Sequence, residues 1–365
     1  MNKKLIALAV AGAFALPLAA AAAESNVTIY GKADIALDNV DPGTAAAGGS
    51  NSGYKRSRVS SGNSLLGFKG TEDLGNGLAA VFQIEQNVNL DDGSTPGVTS
   101  GTFNRATFAG LTGKSWGTVT LGIQDTPYKT AASGKLDPFS DTIGDYNAIF
   151  NRDVRATNSV KYVTPDFSGF SASILWSAAN EGAAAASADN QDGKFLSVNG
   201  VYANGPIYVT VAHERSRAYA ASATAATEYK ANKIGGSYTF GDATVGAVWE
   251  KYTDDSATTP VAFSAATGRR TDWTINGVYN IGAVALKAAY VKAGKQENID
   301  NSDASQWTLG AYYSFSKRTQ AYALYTRMDN KDGASYGLGQ GGTSFSASGA
   351  GADPKGLALG MKHTF

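Results

Sequence analysis

The sequence predicts an all-β fold: a transmembrane antiparallel β-barrel of about sixteen strands, with short periplasmic turns and long extracellular loops. Apolar and polar residues alternate in runs of about ten, the length a tilted strand needs to cross a bilayer. Short and long connections alternate along the chain. Beyond the N-terminus no apolar stretch approaches the ~20 residues of a membrane-spanning helix.

Residues 1–23, MNKKLIALAVAGAFALPLAAAAA, place Lys3 and Lys4 before an apolar run to about Leu18, and end in Ala21-Ala22-Ala23. That order is the layout of a cleaved secretory signal peptide. Residues 24–365 then read as a single barrel domain in the outer membrane. Losing Lys3 and Lys4 from balanced totals of 31 and 31 leaves a net charge of about −2, without the basic excess of a nucleic-acid binder. There is no cysteine, so neither disulfides nor thiol chemistry is available.

In NVTIYGKADIALD, Val27, Ile29, Gly31, Ala33, Ile35 and Leu37 share one face, and Thr28, Tyr30, Lys32 and Asp34 the other. GLAAVFQIEQN sets Leu78, Ala80, Phe82 and Ile84 against Val81, Gln83 and Glu85. GAVALKAAYVK and WTLGAYYSF repeat the pattern, and the terminal GLALGMKHTF aligns Leu357, Leu359, Met361, His363 and Phe365. Strands start near 27, 63, 78, 102, 117, 157, 169, 195, 206, 230, 243, 271, 283, 305, 318 and 355. Lipid offers no hydrogen bonds, so every backbone group must pair and the sheet must close. A barrel this wide is not filled by side chains, so its polar face encloses water.

The short connections include EDLGNG, TGKSWG, PDFSG and ANG. Long ones such as AANEGAAAASADNQDGK and DNKDGASYGLGQGGTSFSASGAGADPK are rich in Ala, Ser and Gly, which reads as solvated cover. GKLDPFSDTIGDYNAIFNRD, residues 134–153, differs by being acidic, with Asp137, Asp141 and Asp145 spaced by four. On a helix that spacing stacks three carboxylates, and Asp137-Pro138 suits a helix start.

Six segments resemble the general porins of Gram-negative outer membranes, most closely the beta-proteobacterial and neisserial type. They are SNVTIYGKAD, SLLGFKGTEDLGNGLAAVFQIEQ, FNRATFAGLTGKSWGTVTLG, TPYKTAASGKLDPFSDTIGDYN, NSVKYVTPDFSGF and GMKHTF, in order along the chain. The resemblance implies a homotrimer of passive diffusion pores for small hydrophilic solutes, set among outer-membrane lipids and lipopolysaccharide. It also implies an inward-folded third loop that narrows the pore, and Phe365 as a signal to the barrel-assembly machinery.

By count the third long connection spans about Gln124 to Ala156 and contains the acidic segment. Packing of Leu136, Phe139, Ile143 and Ile149 on the wall would project Asp141 and Asp145 into the lumen beside Asp137. Parity turns Lys32, Lys69 and Arg105 inward, the last on the premise that Phe108 faces outward, and Arg155 and Lys161 follow the loop. Charges across a constriction set selectivity. Related porins carry arginines where this chain has Leu65, on the lumen face, and Ile123. Two missing cations and an acidic loop point to weak charge selectivity.

A solute-specific channel for anions or organic acids is the alternative. It needs a ladder of lumen groups such as Tyr30, Tyr128 and Tyr146 with Arg105. An enzyme is not expected: His213 and His363 both fall outward without a nucleophile motif. No cofactor or metal site is expected, since the aspartate spacing is not that of a calcium loop.

Overall fold

The computed structural model describes residues 26–46, 53–95, 103–150, 152–178, 194–218, 227–254 and 268–365. The expected signal peptide lies outside them. Chain order runs β1 (Asn26–Asp41), β2 (Arg56–Ser61), β3 (Leu65–Gly75), β4 (Leu78–Asn87), β5 (Thr107–Gly113), β6 (Gly117–Asp125), β7 (Arg155–Val163) and β8 (Phe170–Ser177). It continues through β9 (Phe195–Asn204), β10 (Ile207–Ala218), β11 (Thr227–Phe240), β12 (Ala243–Asp254), β13 (Gly268–Ile281) and β14 (Val284–Ala293). The last three are β15 (Ala304–Ser314), β16 (Thr319–Asn330) and β17 (Lys355–Thr364).

Sequential strands pair antiparallel around one sheet, and β1 closes it against β17, from Lys32↔Thr364 to Asp41↔Lys355. On its other edge β1 pairs with both β2 and β3. Those two are halves of one stave broken at residues 62–64, so the seventeen segments form a closed barrel of sixteen staves. The expected strand near 63 begins at Leu65. Its upper half, RSRVSS, has only Val59 as an apolar marker and so shows no alternation.

Cross-strand partners share a face, which fixes what looks outward. Leu37 pairs with Leu359, Trp249 with Trp273, and Tyr290 with both Ile275 and Trp307. Leu37, Leu359, Trp249, Trp273, Ile275 and Tyr290 are exposed at the outer surface, as lipid-facing residues must be. At the β3–β4 turn Asn76 and Gly77 both take positive φ, 52° and 76°, the backbone a tight hairpin demands.

The buried apolar core lies inside the tube. Leu136, Phe139, Ile143, Tyr146, Ile149 and Phe150 from the third long connection pack on the inner wall, against Val248, Val291, Tyr312, Leu324, Met328 and Ala358. Leu338 and Phe345 of the last loop join them. The composition of that loop predicts solvated cover; instead it folds inward and buries both side chains.

Candidate pore constriction

Loop 3, residues 126–154, enters through a short helix, α1 (Pro127–Thr130), whose Thr126 cap accepts from Lys129 N at 3.2 Å. It then crosses the inner wall strand by strand. Tyr128 N donates to Ser197 Oγ of β9 at 2.9 Å, and its hydroxyl to Glu250 Oε2 of β12 at 2.6 Å. Leu136 O accepts from Asn276 of β13 at 2.7 Å, and Pro138 O from Lys287 of β14 at 2.9 Å. Phe139 settles over Gly310 of β15, where an added Cβ would lie 2.8 Å from the ring. Asp141 reaches β1, where it pairs with Lys32.

The return limb is anchored by buried charge. Lys233 Nζ donates to Asp153 Oδ1 at 2.6 Å and stands 3.5 Å from Glu250 Oε2, while Tyr146 donates its hydroxyl to Asp153 at 2.8 Å. Arg152 pairs with Asp254 at 3.4 Å, and Arg270 donates to Ile149 O at 2.8 Å. Loop 3 therefore lines the half of the wall from β9 round to β1, leaving the half from β3 to β7 open to the lumen.

The three aspartates do not share a helix face. Asp141 has φ +68°, which reverses the chain where a helix would continue. Asp137 instead accepts from Phe139 N at 2.9 Å and Tyr146 N at 3.2 Å. Asp145 accepts from Asp141 N at 2.8 Å and Asn147 N at 2.7 Å, capping the 3-10 turn Tyr146–Ala148. Asp137 and Asp145 are 6% and 2% exposed, so they brace the loop and do not project into the lumen. Asp141 alone keeps an open side, held by Lys32 and by Asn63 Nδ2 at 2.7 Å. Lys32 thus stands beside Asp141 and not across the opening from it.

Burial pushes the Asp137 carboxyl up to about 6 and raises Asp145 as well, the latter also through its acidic neighbours Asp137 and Asp141. Burial opposes charge on Asp141 too, but Lys32, the Asn63 amide and Lys362 together outweigh it and hold that carboxyl below the ordinary range. A raised folded-state value favours docking below the unfolded value and loses that contribution as pH climbs through about 6. Docking of loop 3 should therefore tighten from pH 8 to pH 5, with Asp141 still charged. Open-channel current noise should fall over that range, and Asp137→Asn should flatten the dependence. A parent channel whose noise is constant with pH would refute it.

On the uncovered wall Arg105 donates to Asn87 Oδ1 at 2.8 Å and stands 3.6 Å from Glu85, which accepts from the Tyr30 hydroxyl at 2.7 Å. Lys69, on the neighbouring β3, lies 4.9 Å over the Tyr30 ring, nearer the β3–β4 turn than Leu65 and away from loop 3. Arg155 and Lys129 meet Asp125 Oδ1 at 2.8 and 3.0 Å, and Lys161 donates to Asp125 O at 3.1 Å. Asp141 is within electrostatic range of Arg155. Four cations of this wall, Lys69, Arg105, Arg155 and Lys161, thus accompany two acids, Glu85 and Asp125, and Lys129 of loop 3 adds its charge at Asp125.

Parity predicts Phe108 outward, but it pairs with Gln83 on the inner face. Arg105 precedes the regular part of β5, and its irregular backbone still delivers it to the lumen. Tyr128 and Tyr146 are fully buried beneath loop 3 and cannot form a lumen ladder with Tyr30. Leu65 pairs with Lys32 on the inner face, whereas Ile123 sits at a bulge opposite the outward Thr107. Sequence reading missed Lys129, Asn63, Asp125 and Lys362. Lys362 alternates with outward Met361 and pairs with inward Asp34, so parity alone could have found it.

Residues 7–333 match the Gram-negative porin family. The chain belongs to that family. Outer membrane porin protein 32 of Delftia acidovorans is 33% identical over the whole of both chains. Major outer membrane protein P.IB of Neisseria meningitidis serogroup B is 30% identical over 88% of this porin and 91% of that one. Among solved structures, an anion-selective porin from Comamonas acidovorans superposes with a TM-score of 0.76 at 26% identity, covering 94% of this chain and 100% of that one. OmpT of Vibrio cholerae, in its trimer form, shares the fold at a TM-score of 0.68 and 17% identity. The porin is an outer-membrane channel for passive diffusion, and its relatives are channels and not enzymes.

Proposed function

We propose that this porin passes ions and small hydrophilic solutes with a weak preference for anions, set where loop 3 faces the β3–β7 wall. The carrying observation is the charge balance of that opening. Asp141 is paired with Lys32, Asp137 and Asp145 are buried, and the facing wall holds four cations, Lys69, Arg105, Arg155 and Lys161, to two acids, Glu85 and Asp125. Arg105, Arg155 and Lys161 form the basic side, Asp141 with Lys32 the other, and Lys69 acts below them. Such a transverse field acts on every charged solute that crosses it. Similarity to the anion-selective porin from Comamonas acidovorans supports the anion preference, and burial of Tyr128 and Tyr146 removes two rungs of the ladder a solute-specific channel would use.

A homotrimer is the proposed assembly, supported by the trimer form of the similar OmpT of Vibrio cholerae. Lipopolysaccharide and other outer-membrane lipids would meet the exposed apolar band. Phe365 would serve the assembly machinery and also seal the seam: it accepts from Gly31 N at 3.0 Å and donates to Gly31 O at 3.1 Å.

Reversal potential across a planar bilayer under a KCl gradient tests the filter. Arg105→Gln should move permeability toward cations by about twofold, and Asp141→Asn toward anions by a smaller factor. If neither substitution moves the reversal potential, these residues do not line the constriction.

A further inference from the structure

The stave formed by β2 and β3 is broken at Gly62, Asn63 and Ser64, and the tip of loop 3 lands on that break. Gly62 makes room: a Cβ there would lie 2.6 Å from Asp141 O and 2.8 Å from Asp34 Cγ. Asn63, at φ +48°, turns its amide toward the lumen and donates to Asp141 Oδ1 at 2.7 Å. Ser64 ties the break to β1, accepting from Asp34 N at 2.9 Å and donating to Asp34 O at 3.0 Å.

The last loop, residues 331–354, backs the same point from above. Its 3-10 turn, Gly341–Thr343, packs against the break: a Cβ on Gly341 would lie 2.8 Å from Asn63 Oδ1. The Thr343 hydroxyl lies 3.2 Å from Thr142 O and 2.9 Å from Gln340 O, so its one proton is shared. Arg58 of β2 donates to Ser344 O at 2.7 Å, and Arg56 and Arg58 both lie over the Phe345 ring, at 5.2 and 5.5 Å.

We propose that the break in the second stave is a receptor for the loop 3 tip, and that Asn63 is the positioning residue that holds Asp141 at the constriction. Counted back from the inward Leu65, residue 63 has lumen parity, and the break with its φ of +48° frees the Asn63 side chain from the regular pleat to reach Asp141. The interruption turns one asparagine out of the ladder and gives it to Asp141. Lys32 supplies charge to the same carboxylate, but an ammonium on a flexible stem imposes little direction, whereas the Asn63 amide does. This inference rests on loop 3 forming the constriction.

The test exchanges donor and acceptor. Asn63→Asp keeps the shape and suits positive φ, but sets two carboxylates against each other. Time spent in conductance sublevels should rise about tenfold, since an acceptor left against an acceptor costs the hydrogen bond and more. Combining Asn63→Asp with Asp141→Asn restores a donor and acceptor in reverse and should return the channel to within about twofold of the parent. A merely structural role for Asn63 gives no such rescue. Should Asn63→Asp fail to assemble, Asn63→Ser removes the reach without adding charge and should show the same sublevels. Parent-like behaviour of Asn63→Asp, or a double variant as noisy as the single one, overturns the proposal. If neither Asp141→Asn nor Arg105→Gln moves the reversal potential, the constriction reading fails. If it shifts while Asn63→Asp stays quiet, only the receptor role fails.

Discussion

Lys233→Met is expected to cost about 3–5 kcal/mol, because it strands two buried carboxylates at once. The Lys233 side chain is fully buried on β11, and its partners Asp153 and Glu250 have side chains 1% and 0% exposed. The ammonium also lies 4.2 Å over the Tyr128 ring, so one group ties both limbs of loop 3 to the wall. Without it, Asp153 and Glu250 either hold protons or draw water beneath the loop, and both outcomes loosen it. Urea unfolding of the refolded barrel, followed by gel mobility without heating, should show a clearly lowered midpoint. Adding Asp153→Asn and Glu250→Gln removes the stranded charges and should recover most of the loss. An unchanged midpoint for Lys233→Met would mean that the pair is already wet and weak.

Phe139→Ala should have a comparable effect confined to loop 3. The ring is fully buried, sits over Gly310 with Gly144 beside its Cβ, and meets Tyr312 at 6.3 Å between centroids. Truncation leaves a cavity that neither glycine can fill, with a cost of about 3–5 kcal/mol. The strand ladders do not depend on that ring, so the loss falls on docking. Amide exchange should report it as at least a hundredfold loss of protection at Asp145, Ala148 and Ile149, with about 2.7 kcal/mol corresponding to that factor. The β14–β15 ladder should be unaffected. Full retention of protection at those amides would show that the polar bridges hold loop 3 without the ring.

The barrel was legible in the sequence because lipid outside and water inside impose a period of two that few soluble folds sustain for so long. The four apolar anchors of loop 3 were legible because they stand as bulky residues in a polar stretch. Asp137 and Asp145 misled because spacing by four implies a shared face only if the chain is helical. Here two aspartates spend their oxygens on nearby backbone N–H groups, and a positive φ at Asp141 reverses the chain between them. Short-range capping competes with helix formation at every such residue, and one sequence does not show which wins. The broken stave escaped notice because strand signals come from apolar alternation, and Arg56–Ser61 has almost none. Lys32 as neighbour to Asp141, and not its opposite, depended on which wall loop 3 chose. That choice is written in long-range contacts such as Lys233 with Asp153 and Arg270 with Ile149.

The apolar cluster beneath loop 3 gives the two parts of the molecule different responses to temperature. The outer band meets lipid whether or not the loop is docked, so docking leaves its environment unchanged. Leu136, Phe139, Ile143 and Ile149, by contrast, leave water when they settle on the inner wall. That transfer carries the negative heat-capacity change of hydrophobic burial, and its driving force fades on cooling. Chilling therefore loosens the constriction while the surrounding tube stays intact.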